Sequence, residues 1–587
     1  MPEYLAPGVY VEETSFRAKS IEGVGTSTTA FVGPTRKGPF RPNVNRNEPP
    51  ELLTSYGDFE RIYGGFGDLA LGADVPATNY MAHAVRAFFN EGGSRLYVSR
   101  VVGAGATTAS VTVSGADAER VRFMSRFPGA CGNGTVEAHE TISPASSTTM
   151  TSSPPGTLLR TGAAGTPVHH VKLADGWHPA DNLAAPVVLV ATLTAPGADP
   201  RIVTLALRAI DAEGQDQSAE GLGFDRIHPR WVGHVFAGTP SRRSDQLQNL
   251  FAADIGDGVS AIELLNALFT GPTSNAQGEI ERSSNFTLAG GADGGQPTAA
   301  NYALALGEIA ALEDVSIVAA PGSAAYIVEA QAINGVLIAH AEARRAYRIA
   351  VLDTPRDQTP GGARTVKSLI DSKYAALYYP WVIVPNPLAR PGRDDIAREI
   401  ALPPSGFVCG IYARNDTERG VHKSPANEVV RGALRFEIDV NFGQQEMLNP
   451  LGVNCLRFLS GRGNRVWGAR LVSSDPEWKY VSDRRYFNYL ESSIDRGTQW
   501  AVFEPNGERL WANVRQTISD FLYNEWRNGA LLGTSTEEAY FVRCDRSTMT
   551  QNDLDNGRLV CLIGVAIIKP AEFVIFRIGQ KTADARA

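Results

Sequence analysis

Cysteine is scarce in this chain. Cys131, Cys409, Cys455, Cys544 and Cys561 are scattered through 587 residues, and no C-x-x-C pair occurs. This excludes a disulfide framework and reads as reduced thiols of a protein made in the cytosol. Positive charge is not in excess either. The 55 Lys and Arg face 63 Asp and Glu, a net charge of −8, so the molecule as a whole is no binder of polyanions. Long apolar runs are missing. The longest near the C-terminus, "VCLIGVAII", falls far short of a bilayer span. No cationic start leads into an apolar stretch, so no secretory signal is expected. The phosphate loop GxxxxGK[ST] and the GxSxG elbow are absent as well.

Other chemistry finds weak support. "VVGAGA" follows a strand but lacks the third glycine and the helix of a dinucleotide site. "LAGGADGG" reads as a tight turn and "PPSGF" at 403–407 as a Pro/Gly turn. His169 and His170 are adjacent on an expected strand, so they point to opposite faces and make a poor metal pair. Asp483, Glu491 and Asp495 lie along a helix beside Arg484, Arg485 and Arg496, which predicts solvated ion pairs. No cofactor and no catalytic or metal site is expected. From Arg457 to Arg485, seven Lys/Arg stand against three acids. That surplus is either a fluctuation of surface charge or a basic surface facing an acidic partner.

The length predicts about three to five domains. The fold class expected is α/β and α+β multidomain, in five parts. Residues 1–22 form an N-terminal arm. Residues 23–105 join 286–440 in an α/β core whose helices alternate with apolar strands, the mark of a largely parallel sheet covered on both faces. Residues 106–285 are a β-rich insertion. In it "ATTASVTVSG" and "APVVLVATLTA" read as strands, and "TISPASSTTMTSSPPGT" as a mobile low-complexity loop. Residues 441–569 form an α+β unit. Its helix "GERLWANVRQTISDFLYNEWRNG" has an apolar stripe of Leu510, Val514, Ile518, Phe521 and Leu522, with Asn506 as a cap. The segment "DRRYFNYLESSIDRGTQWAVF" before it reads as a helix and a strand. Residues 570–587 are a C-terminal arm.

Both ends carry a strand with no local partner: "GVYVEE" in the first line and "AEFVIFRIGQ" in the last. A lone strand leaves its backbone groups unsatisfied.

Several runs, in order, resemble the tail sheath proteins of contractile phages and related injection systems. They include "YLAPGVYVEE", "SYGDFERIYGGF" at 55–66, "AVRAFFNEGGSRLYVSRV" at 84–101, "EDVSIVAAPG" at 313–322 and "YAALYYPWVIVPNP" at 374–387. "PPSGFVCGIYARNDTERGVHKSPANE" at 403–428 follows. The closing part matches best, with "LNPLGVNCLRFLSGRGNRVWGAR" at 448–470, "WKYVSDRRYFNYLESSIDRGTQWAVFEPNGERLW" at 478–511 and "NGALLGTSTEEAYFVRCD" at 528–545. Residues 106–285 do not match in detail, and the sheath exterior is their expected place.

The resemblance implies a structural part and not an enzyme. Subunits would stack as hexameric rings around an inner tube. The sheath would contract from the baseplate and drive the tube through a target envelope. The partners implied are other copies of the chain, the inner tube protein, and baseplate and terminal cap proteins, with no direct contact to nucleic acid or membrane. Synthesis and assembly are expected in the bacterial cytoplasm.

In this family, terminal arms add strands to a neighbour's C-terminal sheet. The donors here would be Gly8, Val9, Tyr10, Val11 and Glu12, and Phe573, Val574, Ile575 and Phe576. The acceptor would be Tyr540, Phe541 and Val542 with Val560, Leu562 and Ile563. The segment "RAKSIEGVGTST" would supply slack. Arg484, Arg485, Arg509 and Arg515 are the expected tube-facing cations. The rival readings are an α/β hydrolase-like enzyme and a non-contractile capsid or surface-layer protein.

Overall fold

The computed structural model describes residues 20–40, 50–72, 77–162, 167–275 and 278–578. Among these, nine strands form the central sheet. Their order is Leu52–Leu53, Leu96–Arg100, Thr29–Gly33, Ile317–Ala319, Ile349–Asp353, Ala375–Tyr379, Val453–Leu459, Gly463–Val466 and Glu428–Val429. The six from Leu96–Arg100 to Val453–Leu459 run parallel, and the pairs at both edges are antiparallel. Alternate side chains feed two cores. Phe31, Ile349, Val351 and Tyr378 meet the helices Tyr80–Glu91 and Ser405–Arg419 on one face. Ala30, Val32, Ala350, Leu352 and Leu377 meet Ala299–Ala310 and Ala330–Glu342 on the other. Strands covered on both sides have no polar face, which is why they read as continuous apolar runs.

Thr29 stands opposite Ile317, so one sheet joins the segments on either side of the insertion. The sheet also takes in Val453–Val466, past the expected boundary at 440. The apolar run "GVNCLRF" is its seventh strand.

"PPSGF" is no turn. Pro404 is the N-cap of Ser405–Arg419, a helix buried for three turns. Its glycines serve close approach: a Cβ on Gly406 would sit 2.7 Å from the Ala84 Cα, and one on Gly410 would sit 2.6 Å from the Phe88 carbonyl oxygen. Packing decides here against the turn propensity of Pro and Gly.

Within residues 110–287 two antiparallel sheets share one core. The longest pair, Thr135–Pro144 with Arg201–Ile210, is in register over its whole length. Two expectations fail in this region. The low-complexity segment is ordered: it ends one strand and forms the helix Ser147–Ser152, whose Met150 is buried under a Ser146 capping box. "APVVLVATLTA" is no strand. Val190–Leu193 is a single helical turn, and only Leu193 is buried within it.

The last unit is built on the helices Val481–Gly497 and Glu508–Arg527. Leu510, Trp511, Val514, Ile518, Phe521 and Leu522 bury one stripe against Tyr486 and Leu490. Gly507, not Asn506, is the N-cap; the Asn506 side chain accepts a bond from the Trp511 indole instead. "WAVF" forms no strand but a short 3-10 turn, Gln499–Ala501, followed by an exposed Val502 and Phe503.

Candidate assembly site

The expected acceptor is a sheet of two strands. Tyr540–Arg543 pairs antiparallel with Leu562–Val565, and Tyr540 stands opposite Val565. The inner face, Tyr540, Val542 and Val565, packs on the helical core. Tyr540 also donates its hydroxyl to the Ser519 carbonyl at 3.3 Å. The outer face exposes Phe541 (54%) and Leu562 (49%) beside Arg543, whose guanidinium lies 5.9 Å from the centre of the Phe541 ring. Phe541 lies across Gly564, where a Cβ would come within 2.2 Å of its ring. Ile563 is exposed and Val560 half-buried. Two strands alone are marginal in water, and exposed apolar side chains beside open edges invite a further strand.

The expected C-terminal donor forms no strand with any of the described residues. Phe573, Val574, Ile575, Phe576 and Ile578 are between 68% and 95% exposed. Isolated exposed apolar residues are ordinary, but a run of them is not. Glu572, just before this run, is half-buried between exposed neighbours. This carboxylate accepts from Arg470 Nε (2.7 Å) and Nη2 (2.6 Å), Asn449 Nδ2 (2.8 Å) and the Tyr480 hydroxyl (2.8 Å). Lys479 Nζ lies 3.5 Å away. Partial burial alone pushes the Glu572 pKa up; the donors, Arg470 foremost, outweigh it and bring the group down to about 2. The arm therefore leaves the body from a fixed, charged root.

Sequence reasoning missed Glu572, although a signal existed. The basic surplus at 457–485 is largely answered inside the chain. Arg457 donates to the Val440 carbonyl, Arg465 to that of Asn427, and Arg470 to Glu572. The surplus is no basic surface.

Arg484 and Arg485 are buried and cannot present charge to a tube. Arg484, 2% exposed, lies over the Trp478 and Tyr374 rings and pairs with Glu491 at 2.8 Å. Arg485 pairs with Asp416 at 2.6 Å and donates to the Thr26 carbonyl. The helix carrying them is mortised into the central unit. Asp495 takes Arg345, and Asn488 donates to the Arg348 carbonyl. Arg484–Glu491 is a pair along one helix, as expected, with Glu491 at the surface; the Arg345–Asp495 pair is exposed and reaches another unit, and Arg485–Asp416 is buried. Arg509 and Arg515 are exposed.

The N-terminal donor, Gly8 to Glu12, lies outside the described residues. The second half of its expected tether is not slack. Ile21 is buried against Gly497, Val24 donates to Ser493, and Thr26 donates to Asp416 at 2.6 Å. A Cβ on Gly23 would strike the Tyr489 hydroxyl.

The remaining polar clusters read as structural. His169 and His170 are held neutral by burial, with His169 pushed down to about 4. Cys131, Asp211 and Glu213 converge, but Lys37 sits 2.8 Å from Asp211 and Arg36 2.5 Å from Glu213. Two cations already balance those two carboxylates.

The molecule is thus a layered α/β protein whose last unit ends in a two-stranded sheet with an exposed outer face and an exposed, largely apolar arm. A family model of the phage tail sheath protein central domain matches residues 295–470, and one of the phage tail sheath C-terminal domain matches 473–581. Residues 295–470 and 473–581 thus match the two domains of the phage tail sheath protein family. It is 26% identical over 268 residues to a putative prophage major tail sheath protein of Pseudomonas aeruginosa, covering 45% of this chain and 64% of that one. It is 24% identical over 185 residues to the tail sheath protein of Enterobacteria phage T4, covering 31% and 26%. The matched segments thus span less than two thirds of either relative. The fold is also that of the contracted sheath of an extracellular contractile injection system, with a TM-score of 0.51, 20% identity and 99% of each chain covered.

Proposed function

We propose that this protein is the repeating subunit of a contractile tail sheath. Copies stack as hexameric rings around an inner tube and are linked by strands exchanged between neighbours. They contract to drive the tube through a target envelope. The observation that carries this reading is the pair of unsatisfied elements at one end of the molecule. The outer face of 540–543 and 562–565 exposes Phe541 and Leu562, and 573–578 is a largely apolar run with no partner among the described residues. Burying Phe573, Ile575 and Phe576 between subunits contributes about 1.5–3 kcal/mol each, against about 1–2 kcal/mol for each backbone residue ordered. Backbone pairing gives affinity, and alternating side chains fix the register.

Glu572 suits this role. Rings that shift past one another stay connected if each arm keeps its root on its own body while its tip stays in a neighbour's sheet. The residues 8–12 would act as a second donor, reaching out from a body-bound segment that begins at Ile21. Arg509 and Arg515 are the cations offered to the tube. Contacts of exposed charges are weak enough to release. Baseplate and terminal cap proteins would bound the array, and assembly would take place in the bacterial cytoplasm before release of the particle. Electron microscopy of the purified chain with its tube protein tests the reading. Striated tubes are expected; dispersed monomers under every assembly condition would overturn it.

A further inference from the structure

Each strand of the open sheet is flanked by a cysteine. The ladder ends at Arg543 against Leu562, and one further step in the same register sets Cys544 against Cys561. Ala566 donates its N–H to the Ala539 carbonyl at 2.8 Å. Counted from that hydrogen-bonded pair in alternating steps, 544 and 561 face each other without backbone bonds between them. Such pairs hold their Cα atoms about 4.5 Å apart, within the span of a disulfide. Both thiols are free and they interact with one another. Cys544 is buried, while Cys561 is half-buried and so within reach of a small molecule. Cys131, Cys409 and Cys455 lie in other parts of the fold.

We propose that Cys544 and Cys561 are a latent cross-strand disulfide, formed when the protein meets a small-molecule disulfide and closing the open sheet covalently at one end. The Cys561 thiol gives up its proton, and its sulfur attacks the small disulfide, displacing one thiolate and leaving a mixed disulfide on Cys561. The Cys544 thiol then loses its proton and attacks the Cys561 sulfur, displacing the second thiolate. The two protons go to the two departing thiolates. Two protein thiols are oxidised and one small disulfide is reduced to two thiols. Burial and the neighbouring Cys544 push the Cys561 thiol up to about 12, with Arg515 opposing. Arg515 and Asp545 are the charged groups facing the pair. The exchange is therefore slow at neutral pH and gains about tenfold per pH unit. A reducing cytoplasm keeps the pair open, and exposure to an oxidising medium closes it.

The chemistry stands on the geometry alone; only its consequence for strand exchange rests on the function proposed above. The test uses the full-length chain, unassembled, purified under reducing conditions and incubated with oxidised glutathione at alkaline pH. Thiols titrated after denaturation should fall by two, with a 544–561 linked peptide in the mass spectrum. Proteolysis within 545–560 should slow by about tenfold or more. Cys561→Ala, shown to be folded by circular dichroism, should lose none of its remaining thiols. All five thiols still free, glutathione left attached at Cys561, or a link between chains would overturn the proposal. Because no tube need form, that failure leaves the sheath reading standing, and absence of tubes leaves the disulfide standing.

Discussion

The molecule holds two kinds of sheet. The central one is closed to further folding work: its strands are covered on both faces, and its edge pairs are short. The sheet of 540–543 and 562–565 covers one face only and leaves Phe541 and Leu562 to solvent. Both sheets are β-branched and aromatic, so propensity does not separate them. What separates them is where the second layer comes from. The central sheet gets it from its own helices. The small sheet has it on one side alone.

The comparison breaks most visibly in the central sheet. Val351→Asp puts a carboxylate into a site 1% exposed. It should cost about 4 kcal/mol or more, seen as insoluble protein or an early urea midpoint. Phe541→Asp is the matching change in the open sheet. The isolated chain should lose no more than about 0.5 kcal/mol in the same urea titration, yet tubes should vanish under the microscope. A large stability loss there would mean that the outer face is not free.

Glu572→Gln probes the root of the arm. Removing the charge should weaken docking of the root by about 1–3 kcal/mol, read as faster hydrogen exchange at 566–572. The acid response gives the sign. Glu572 is held at about 2 against 4.5 for the free side chain. Its contribution is thus complete above pH 4.5 and is lost as pH falls toward 2. The Gln variant should lack that acid-dependent step.

The smallest effect belongs to the exposed cations. Arg509→Ala and Arg515→Ala should each weaken tube binding by about 0.2–1 kcal/mol, and less at high salt. A loss that salt does not reduce would point to packing instead of charge.

Much of the central sheet was legible because a strand buried on both faces is apolar throughout, and helices such as Tyr80–Glu91 carry a stripe and a glycine cap. The helix Ser405–Arg419 was hidden because its glycines serve contact with a neighbouring helix, which composition alone renders as a turn. The strands Tyr540–Arg543 and Leu562–Val565 fall within segments read as strands, while an acceptor role for them came only from the family resemblance. The burial of Arg484 and Arg485 was not, since their partners Glu491 and Asp416 come from one helix and from a remote one. The Glu572 clamp joins residues about a hundred positions apart, and local pattern carries no trace of such a meeting.

The central claim is that the apolar arm completes a neighbour's sheet. A cryo-EM map of the assembled sheath tests it most directly. The account predicts residues 573–578 of one subunit hydrogen-bonded as an added strand along 540–543 or 562–565 of another, with Glu572 still on Arg470 of its own body. An arm folded back on its own chain, with the sheet edges bare, would contradict it.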